Sequence, residues 1–354
     1  MSFFNFQQDI FGIDISDTSF KIAKLSKNGK FFRLESYGSF NVPKDIIVDG
    51  QIKNIDLLSE LTKNALPTVK GKKITSKYVA LALPEEKTFL RVIETPDISA
   101  CSLNEAAKFE AEKYIPIPIN DVYIDCGLVD SESKKYLLLA AVAKETADSY
   151  ALYLEKAGLE PIVFEPKTQA ISRSLIPGNF SDAPILILDM GARRTNILVF
   201  YKDAVNFSAT INLSANNLTQ NIAQEIGVSF KEAEQLKIRN QNEKAKYDKR
   251  IEIAINDFII DLASQIRGYI NFYNEKPYSP KEGIKRVIIS GGGANLFSIK
   301  EKISSALGIE TEIGNPWINI LPQPVKEIPY ISFQESQAYS VALGLALRGI
   351  KFEI

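Results

Sequence analysis

Apolar residues recur along the chain in two rhythms, one of period two and one of period three to four. Phe11-Gly12-Ile13-Asp14-Ile15 reads as a buried strand, and Lys21 to Leu25 as its neighbour. Asn28-Gly29 is a hairpin signal, after which Phe31 to Phe40 continues the meander. Ile55 to Leu66 has helical spacing, and Tyr78 to Leu83 alternates as a strand up to Pro84. Thr88 to Glu94 is a further strand. Leu103, Ala106, Ala107, Phe109 and Ala111 sit among Glu and Lys, which predicts a helix over Leu103 to Tyr114. Ile115-Pro116-Ile117-Pro118 closes it, because proline cannot continue the hydrogen-bond ladder. Strands follow at Tyr123 to Val129 and Tyr136 to Val142. Then come a helix from Lys144 to Ala157, a strand from Pro161 to Phe164 and a helix from Lys167 to Leu175.

Pro177-Gly178-Asn179 is the clearest break, and after it the strand meander starts again. Pro184 to Met190, Asn196 to Tyr201 and Val205 to Ile211 are three strands. Helices are expected at Asn216 to Ile226 and Lys231 to Ile238, with an exposed polar loop over Asn240 to Arg250. Ile251 to Tyr273 carries one apolar stripe: Ile251, Ile255, Phe258, Leu262, Ile266, Tyr269 and Tyr273. Val287 to Ser290 reads as a strand, Asn295 to Leu307 and Gln337 to Arg348 as helices. The repeated opening implies internal duplication, with alternating strands and helices in α/β layers. It divides the chain into lobes over 1–178 and 179–354.

Composition narrows the chemistry. The 354 residues contain no histidine, which removes Ser-His-Asp, Cys-His and His-metal chemistry. The two cysteines, Cys101 and Cys126, form no C-x-x-C spacing and read as reduced thiols. A formal net charge of -1 gives no basic field for nucleic acid. No apolar run reaches the ~18 residues of a membrane span. Phe3, Phe4 and Phe6 lie in a leader without the basic start of an export signal, so a cytoplasmic protein is expected, with no direct membrane insertion.

Phosphate chemistry survives these exclusions. The first opening reads Asp14-Ile15-Ser16-Asp17-Thr18-Ser19-Phe20-Lys21, and the second Asp189-Met190-Gly191-Ala192-Arg193-Arg194-Thr195. Each puts an Asp at the end of an apolar strand, before a tight turn. An Asp there often acts as a structural cap. Two such turns facing each other grip a phosphate chain, with Asp14 and Asp189 on hydrated Mg²⁺ and Lys21 reaching a phosphate as a point charge. The third element is an apolar strand running into Gly291-Gly292-Gly293. It is either a sharp strand-to-helix turn or a close approach to a ligand.

These three elements, in this order, resemble the actin and sugar-kinase superfamily, in which they are two phosphate loops and an adenosine loop. Glu110 to Pro118, Ala233-Glu234-Gln235-Leu236-Lys237 and Ala342 to Gly349 narrow the likeness. The chain resembles, from about residue 10 to 350, the PilM family of type IV pilus assembly proteins, which is related to FtsA. The resemblance implies an actin-like two-lobed fold: two RNase H-like domains with an inserted subdomain over about 84–165. It implies an ATP-binding scaffold with slow turnover at most. Ala215, Glu234 and Lys237 then belong to the nucleoside site, and Gln169 orients water at the base of the cleft. The same Glu and Lys also suit a solvated ion pair. The implied partner is the cytoplasmic N-terminal peptide of a PilN-like membrane protein, bound in the groove between the first subdomain and the inserted one, with Tyr114, Ile115, Pro116, Ile117 and Pro118 and the adjoining first subdomain contacting it. Self-association stays open, as do an FtsA-like filament former and a small-molecule kinase on the same fold. Family members usually carry glycine at Ser16 and at Ser214-Ala215. Arg193-Arg194 is also unusual, and either clamps phosphate or fills the site with an internal ion pair.

Overall fold

The computed structural model describes residues 9–94, 111–113, 115, 117–129, 136–242, 249–296, 298–323 and 329–351. The first half begins with the expected meander, β1 (Phe11–Ile15), β2 (Ser19–Asn28) and β3 (Phe31–Asn41). A small hairpin follows, β4 (Ile47–Val48) and β5 (Gln51–Ile52), then α1 (Ile55–Ala65), β6 (Lys70–Gly71) and β7 (Tyr78–Leu83). Next come β8 (Thr88–Glu94), β9 (Val122–Leu128), β10 (Tyr136–Ala143), α2 (Lys144–Lys156), β11 (Glu160–Pro166) and α3 (Lys167–Leu175). The second half repeats the meander as β12 (Ser181–Met190), β13 (Thr195–Lys202) and β14 (Ala204–Ile211). It continues with α4 (Ala215–Ile226), α5 (Phe230–Asn242), α6 (Lys249–Asn274), β15 (Arg286–Ser290) and α7 (Ile299–Leu307). β16 (Glu310–Ile313), the short α8 (Phe333–Ser336) and α9 (Ser340–Lys351) complete it.

The duplication is visible in the pairing. β1 runs antiparallel to β2 and parallel to β7, while β12 runs antiparallel to β13 and parallel to β15. Asp14 therefore faces Lys21 across its ladder, and Asp189 faces Asn196 at the same point of the other. One sheet has the order β11-β7-β1-β2-β3-β6, the other β16-β15-β12-β13-β14-β8-β10-β9. The predicted stripe of α6 is buried under the second sheet through Ile251, Ile255, Phe258, Leu262 and Ile266.

Three expectations need correction. The inserted part is narrower than 84–165: α2 and β11 belong to the first lobe, where Tyr150, Tyr153 and Leu154 pack with β1 and β7. The inserted strands β8 to β10 extend the second lobe's sheet instead, joined to it at Phe207 opposite Arg91. The chain also returns to the first lobe before its end. Trp317, Ile320 and the α9 residues Ala342 and Leu343 pack against Ala23, Leu25 and Leu34 of the first sheet. Both ends of the polar stretch expected as a loop are helical, since α5 reaches Asn242 and α6 starts at Lys249. The helix predicted over Leu103 to Tyr114 lies outside the described residues except for Ala111 to Lys113.

α9 and α3 cross at the centre of the molecule, where Ala170, Ile171, Val341 and Leu345 are buried with residues of both sheets. The crossing is close because residue 344 is glycine. A Cβ there would lie 1.9 Å from the carbonyl oxygen of Ala170. This fixes the first turn of α3, which reaches both recesses described below.

Candidate functional site

The two Asp-bearing turns face one cleft, a cavity of about 240 Å³. Asp14, Ser16, Thr18, Ser19, Lys21, Asp189, Gly191, Gly291 and Gly292 all line it. Gly291 has φ of +79°, and a Cβ on it would meet the Met190 carbonyl oxygen and the Asp189 carboxylate. The glycine turn thus closes directly behind the second aspartate.

Ser16 organises the first turn. Its hydroxyl donates to the Ser19 carbonyl at 2.8 Å and accepts from the Ser19 N–H at 3.2 Å. The hydroxyl takes up a donor that a glycine at this position would leave free. Asp17 reaches the other way. Its carboxylate accepts the N–H groups of Asp49 and Gly50, both at 3.1 Å, and so ties the β4–β5 hairpin over the cleft.

Arg193 and Arg194 resolve the alternative left open by the sequence. Arg193 pairs with Asp17 at 2.8 Å, and Arg194 with Glu86 at 2.6 Å and with Asp49. All three carboxylates belong to the first half, so the second turn is bonded across the cleft. The cations hold internal ion pairs at its mouth.

The cleft floor holds one group that sequence reasoning missed. Lys167, at the start of α3, lies 2.9 Å from Asp14 Oδ1 and donates to the Ile15 carbonyl at 2.7 Å. Burial opposes the ammonium's charge, but Asp14 more than offsets it, and the pKa of Lys167 is raised. Burial alone would raise Asp14 too, yet Lys167 and Lys21 hold it below its ordinary value. Lys21 is lowered, by burial foremost, against the attraction of Asp14.

Asp189 differs from Asp14. Burial and then the charge of Asp14 push it up to about 6 from 3.8. Its ionised form is therefore disfavoured in the folded protein. The cost is absent below the ordinary carboxylate value, builds as pH rises through that value towards 6, and is complete above 6. Asp189→Asn removes it. We expect urea unfolding to show the variant more stable at pH 7.5 by about 1–2 kcal/mol, a figure reduced for the water that reaches the carboxylate. At pH 4 the gain should vanish. The same gain at both pH values would contradict a buried, destabilised carboxylate.

Several expected site residues lie elsewhere. Gln169 does not line the cleft. It sits two residues past Lys167 on α3, close to opposite on the helix, and faces a groove on the far side. Thr195 donates to the Leu213 carbonyl at 2.6 Å and holds the second turn to the segment before α4. Gly293 packs against Met190, behind the cleft. Ala215 starts α4, and its N–H donates to Gly191 at 3.1 Å. Lys237 donates to the Ala215 carbonyl at 3.2 Å, to Thr219 at 2.8 Å and to Glu234 at 2.7 Å. This Glu–Lys pair fastens α5 to α4 beside the cleft; it does not line it. Ser214 is the N-cap of α4, its side chain accepting from the Asn217 N–H, which explains a hydroxyl residue there.

The far-side groove, about 530 Å³, lies between the inserted strands and the first lobe. Ala140 and Val142 of β10 form one wall; Ala147 and Ala151 of α2 with Val163 and Phe164 of β11 form the other. Asp125 and Asp148 give it acidic groups. Of the segment expected to carry the partner, the described residues Ile115, Ile117 and Pro118 do not line it. Ile115 is buried with Leu137, Leu139 and Ala141, on the other face of the inserted sheet from Ala140 and Val142. Ile117 is 38% exposed. Tyr114 and Pro116 lie outside the described residues. Among the described residues, no helix is long and apolar enough to cross a membrane.

Two duplicated meanders, each with an aspartate at the end of its first strand over a shared cleft, define an actin-like two-lobed fold. Within that class, the chain belongs to the PilM family of type IV pilus assembly proteins, whose family model matches residues 12–350. A chain from a solved PilM–PilN type IV pilus biogenesis complex is 26% identical, covering 98% of this chain and 100% of that one, with a TM-score of 0.83. The ethanolamine utilization protein EutJ from Carboxydothermus hydrogenoformans is 15% identical, covering 95% and 88%, with a TM-score of 0.57. MreB5 of Spiroplasma citri bound to ADP is 12% identical, covering 96% and 95%, with a TM-score of 0.54. The last two share the fold.

Proposed function

We propose that the chain is a cytoplasmic scaffold of a type IV pilus machine. It docks the cytoplasmic N-terminal peptide of a PilN-like inner-membrane protein in the far-side groove and holds ATP with Mg²⁺ in the cleft. The groove carries the docking reading. Its small side chains leave room for a peptide's apolar anchors, and its acidic groups suit the basic residues that flank a membrane span on the cytoplasmic side. The solved relative from a PilM–PilN complex supports the choice of partner. Attachment to the inner membrane then runs through the partner.

The nucleotide reading rests on the two turns and the glycine segment around one cavity. Lys21 would meet the phosphates, with Gly291 and Gly292 beside the nucleoside. Asp189 has one long contact, from Asn196 at 3.4 Å, which leaves its carboxylate room for a hydrated ion. Lys167 already pairs with Asp14, so a Mg²⁺ ion arriving with the phosphates would meet the protein through water at Asp189. With Gln169 turned away, turnover is slow at most.

Calorimetry tests this reading. We expect ATP-Mg²⁺ to bind, and Lys21→Met to weaken it by about 1–3 kcal/mol, the scale of one charge-assisted contact. Wild-type protein that binds no nucleotide, or a variant that binds as well, would remove ATP from the function while leaving the groove untouched.

A further inference from the structure

Lys167 is placed against local preference. A cation in the first turn of a helix meets the positive end of the helix dipole. Pro166 precedes it and contributes no side-chain cap. The position is nevertheless rigid, because α3 is pressed on α9 at Gly344. The ammonium is pointed into the cleft, with its side chain 12% exposed and Asp14 at 10%. Its stabilisation comes from one carboxylate and one carbonyl of the first turn. Asp189 also acts on it electrostatically. A local rule broken at a buried cleft position, with a compensating partner, marks a position shaped by the site rather than by the helix.

The electrostatics of two facing aspartates explain the arrangement. Two buried carboxylates repel and need a cation close by. A hydrated divalent ion meets that need when it arrives with a ligand. A lysine meets it permanently, without dehydrating an ion. We propose that the Lys167 ammonium is the resident counter-cation of the Asp14–Asp189 pair, occupying ground that a divalent ion would otherwise take. The cleft then grips the triphosphate largely with the chain's own cations, Lys21 and Lys167, and added metal strengthens binding only slightly. This second part rests on the nucleotide reading; the first part does not.

The two parts are tested separately. Mn²⁺ alone, followed by the loss of its free-ion paramagnetic resonance signal, probes the aspartate pair without nucleotide. Wild-type protein should bind Mn²⁺ weakly. Lys167→Met should bind it at least about tenfold more tightly, since a buried charge pair is left without its cation. Adding Asp14→Asn to that variant should abolish the gain, and Lys167→Arg, which keeps the cation, should behave as wild type. Circular dichroism confirms that each variant is folded. For the second part, a fluorescent ATP analogue is titrated in EDTA and in Mg²⁺. Wild-type affinity should change by less than about threefold, and Lys167→Met should lose about tenfold in EDTA and recover in Mg²⁺. Equal Mn²⁺ affinity in wild type and Lys167→Met overturns the counter-cation. Wild-type binding that collapses in EDTA overturns the metal independence. If wild type binds no nucleotide at all, the ATP reading and this second part fall together, and the Mn²⁺ result decides the role of Lys167.

Discussion

Gly344→Ala lowers the melting temperature by about 5–10 °C, the effect of roughly 3 kcal/mol of overpacking. An added Cβ would sit 1.9 Å from the Ala170 carbonyl oxygen, 2.6 Å from its carbon and 3.0 Å from its Cα. These are backbone atoms of a neighbouring helix, so no rotamer change relieves the clash, and α9 must move from α3. Its other side is also closed. A Cβ on Gly12 of β1 would meet the Ala342 carbonyl oxygen at 2.5 Å, so α9 is confined between a strand and a helix. Gly268 is the matched control. It lies within α6, and an added methyl would find nothing within 4 Å, so Gly268→Ala should gain about 0.5–1 kcal/mol from helix propensity alone. Thermal melts that treat the two changes alike would show that the crossing does not bear on stability.

Ala151→Trp abolishes binding of the PilN-like peptide, and Ile117→Asp leaves it unchanged. Ala151 lies on α2 at the groove wall, where an indole would occupy the volume intended for a peptide anchor. Losing one buried anchor costs about 2–4 kcal/mol, a fall in affinity of roughly thirtyfold to a thousandfold. Ile117 is exposed and does not line the groove. A carboxylate there meets water. Fluorescence anisotropy with the labelled cytoplasmic tail reads both variants. The opposite pattern, with Ile117→Asp abolishing binding and Ala151→Trp silent, would move the peptide to the Ile115–Pro118 side.

The readable parts of this molecule are those written locally and twice. Asp14 and Asp189 each end a buried strand and begin a tight turn, and the repetition makes the pair significant without knowledge of any contact. α6 is legible because its stripe is long. The hairpin of β4 and β5 is not, since strands of two residues carry no period. Sequence position suggests the cleft for Gln169, but position along the chain does not give helix phase: Lys167 faces the cleft and Gln169 the groove. Glu234 and Lys237 are one turn apart, as expected, but spacing does not show that Thr219 and Ala215 engage the lysine from α4. Lys167 and Asp14 meet across most of the first half of the chain. The available signal is a lysine directly after Pro166, at the wrong end of a helix for its charge.

The first turn of α3 is a shared wall. Lys167 projects into one recess and Gln169 into another, with Thr168 between them donating to the buried Glu85 carboxylate at 3.0 Å. Because the turn is rigid, a strain that a ligand applies to it in one recess is carried to the other. Thermodynamic linkage then sets a strict symmetry. Whatever factor the peptide applies to the affinity for nucleotide, nucleotide applies to the affinity for the peptide, in the same direction and of the same size. A membrane anchor that tightens the cleft is, by that equality, an anchor that nucleotide tightens.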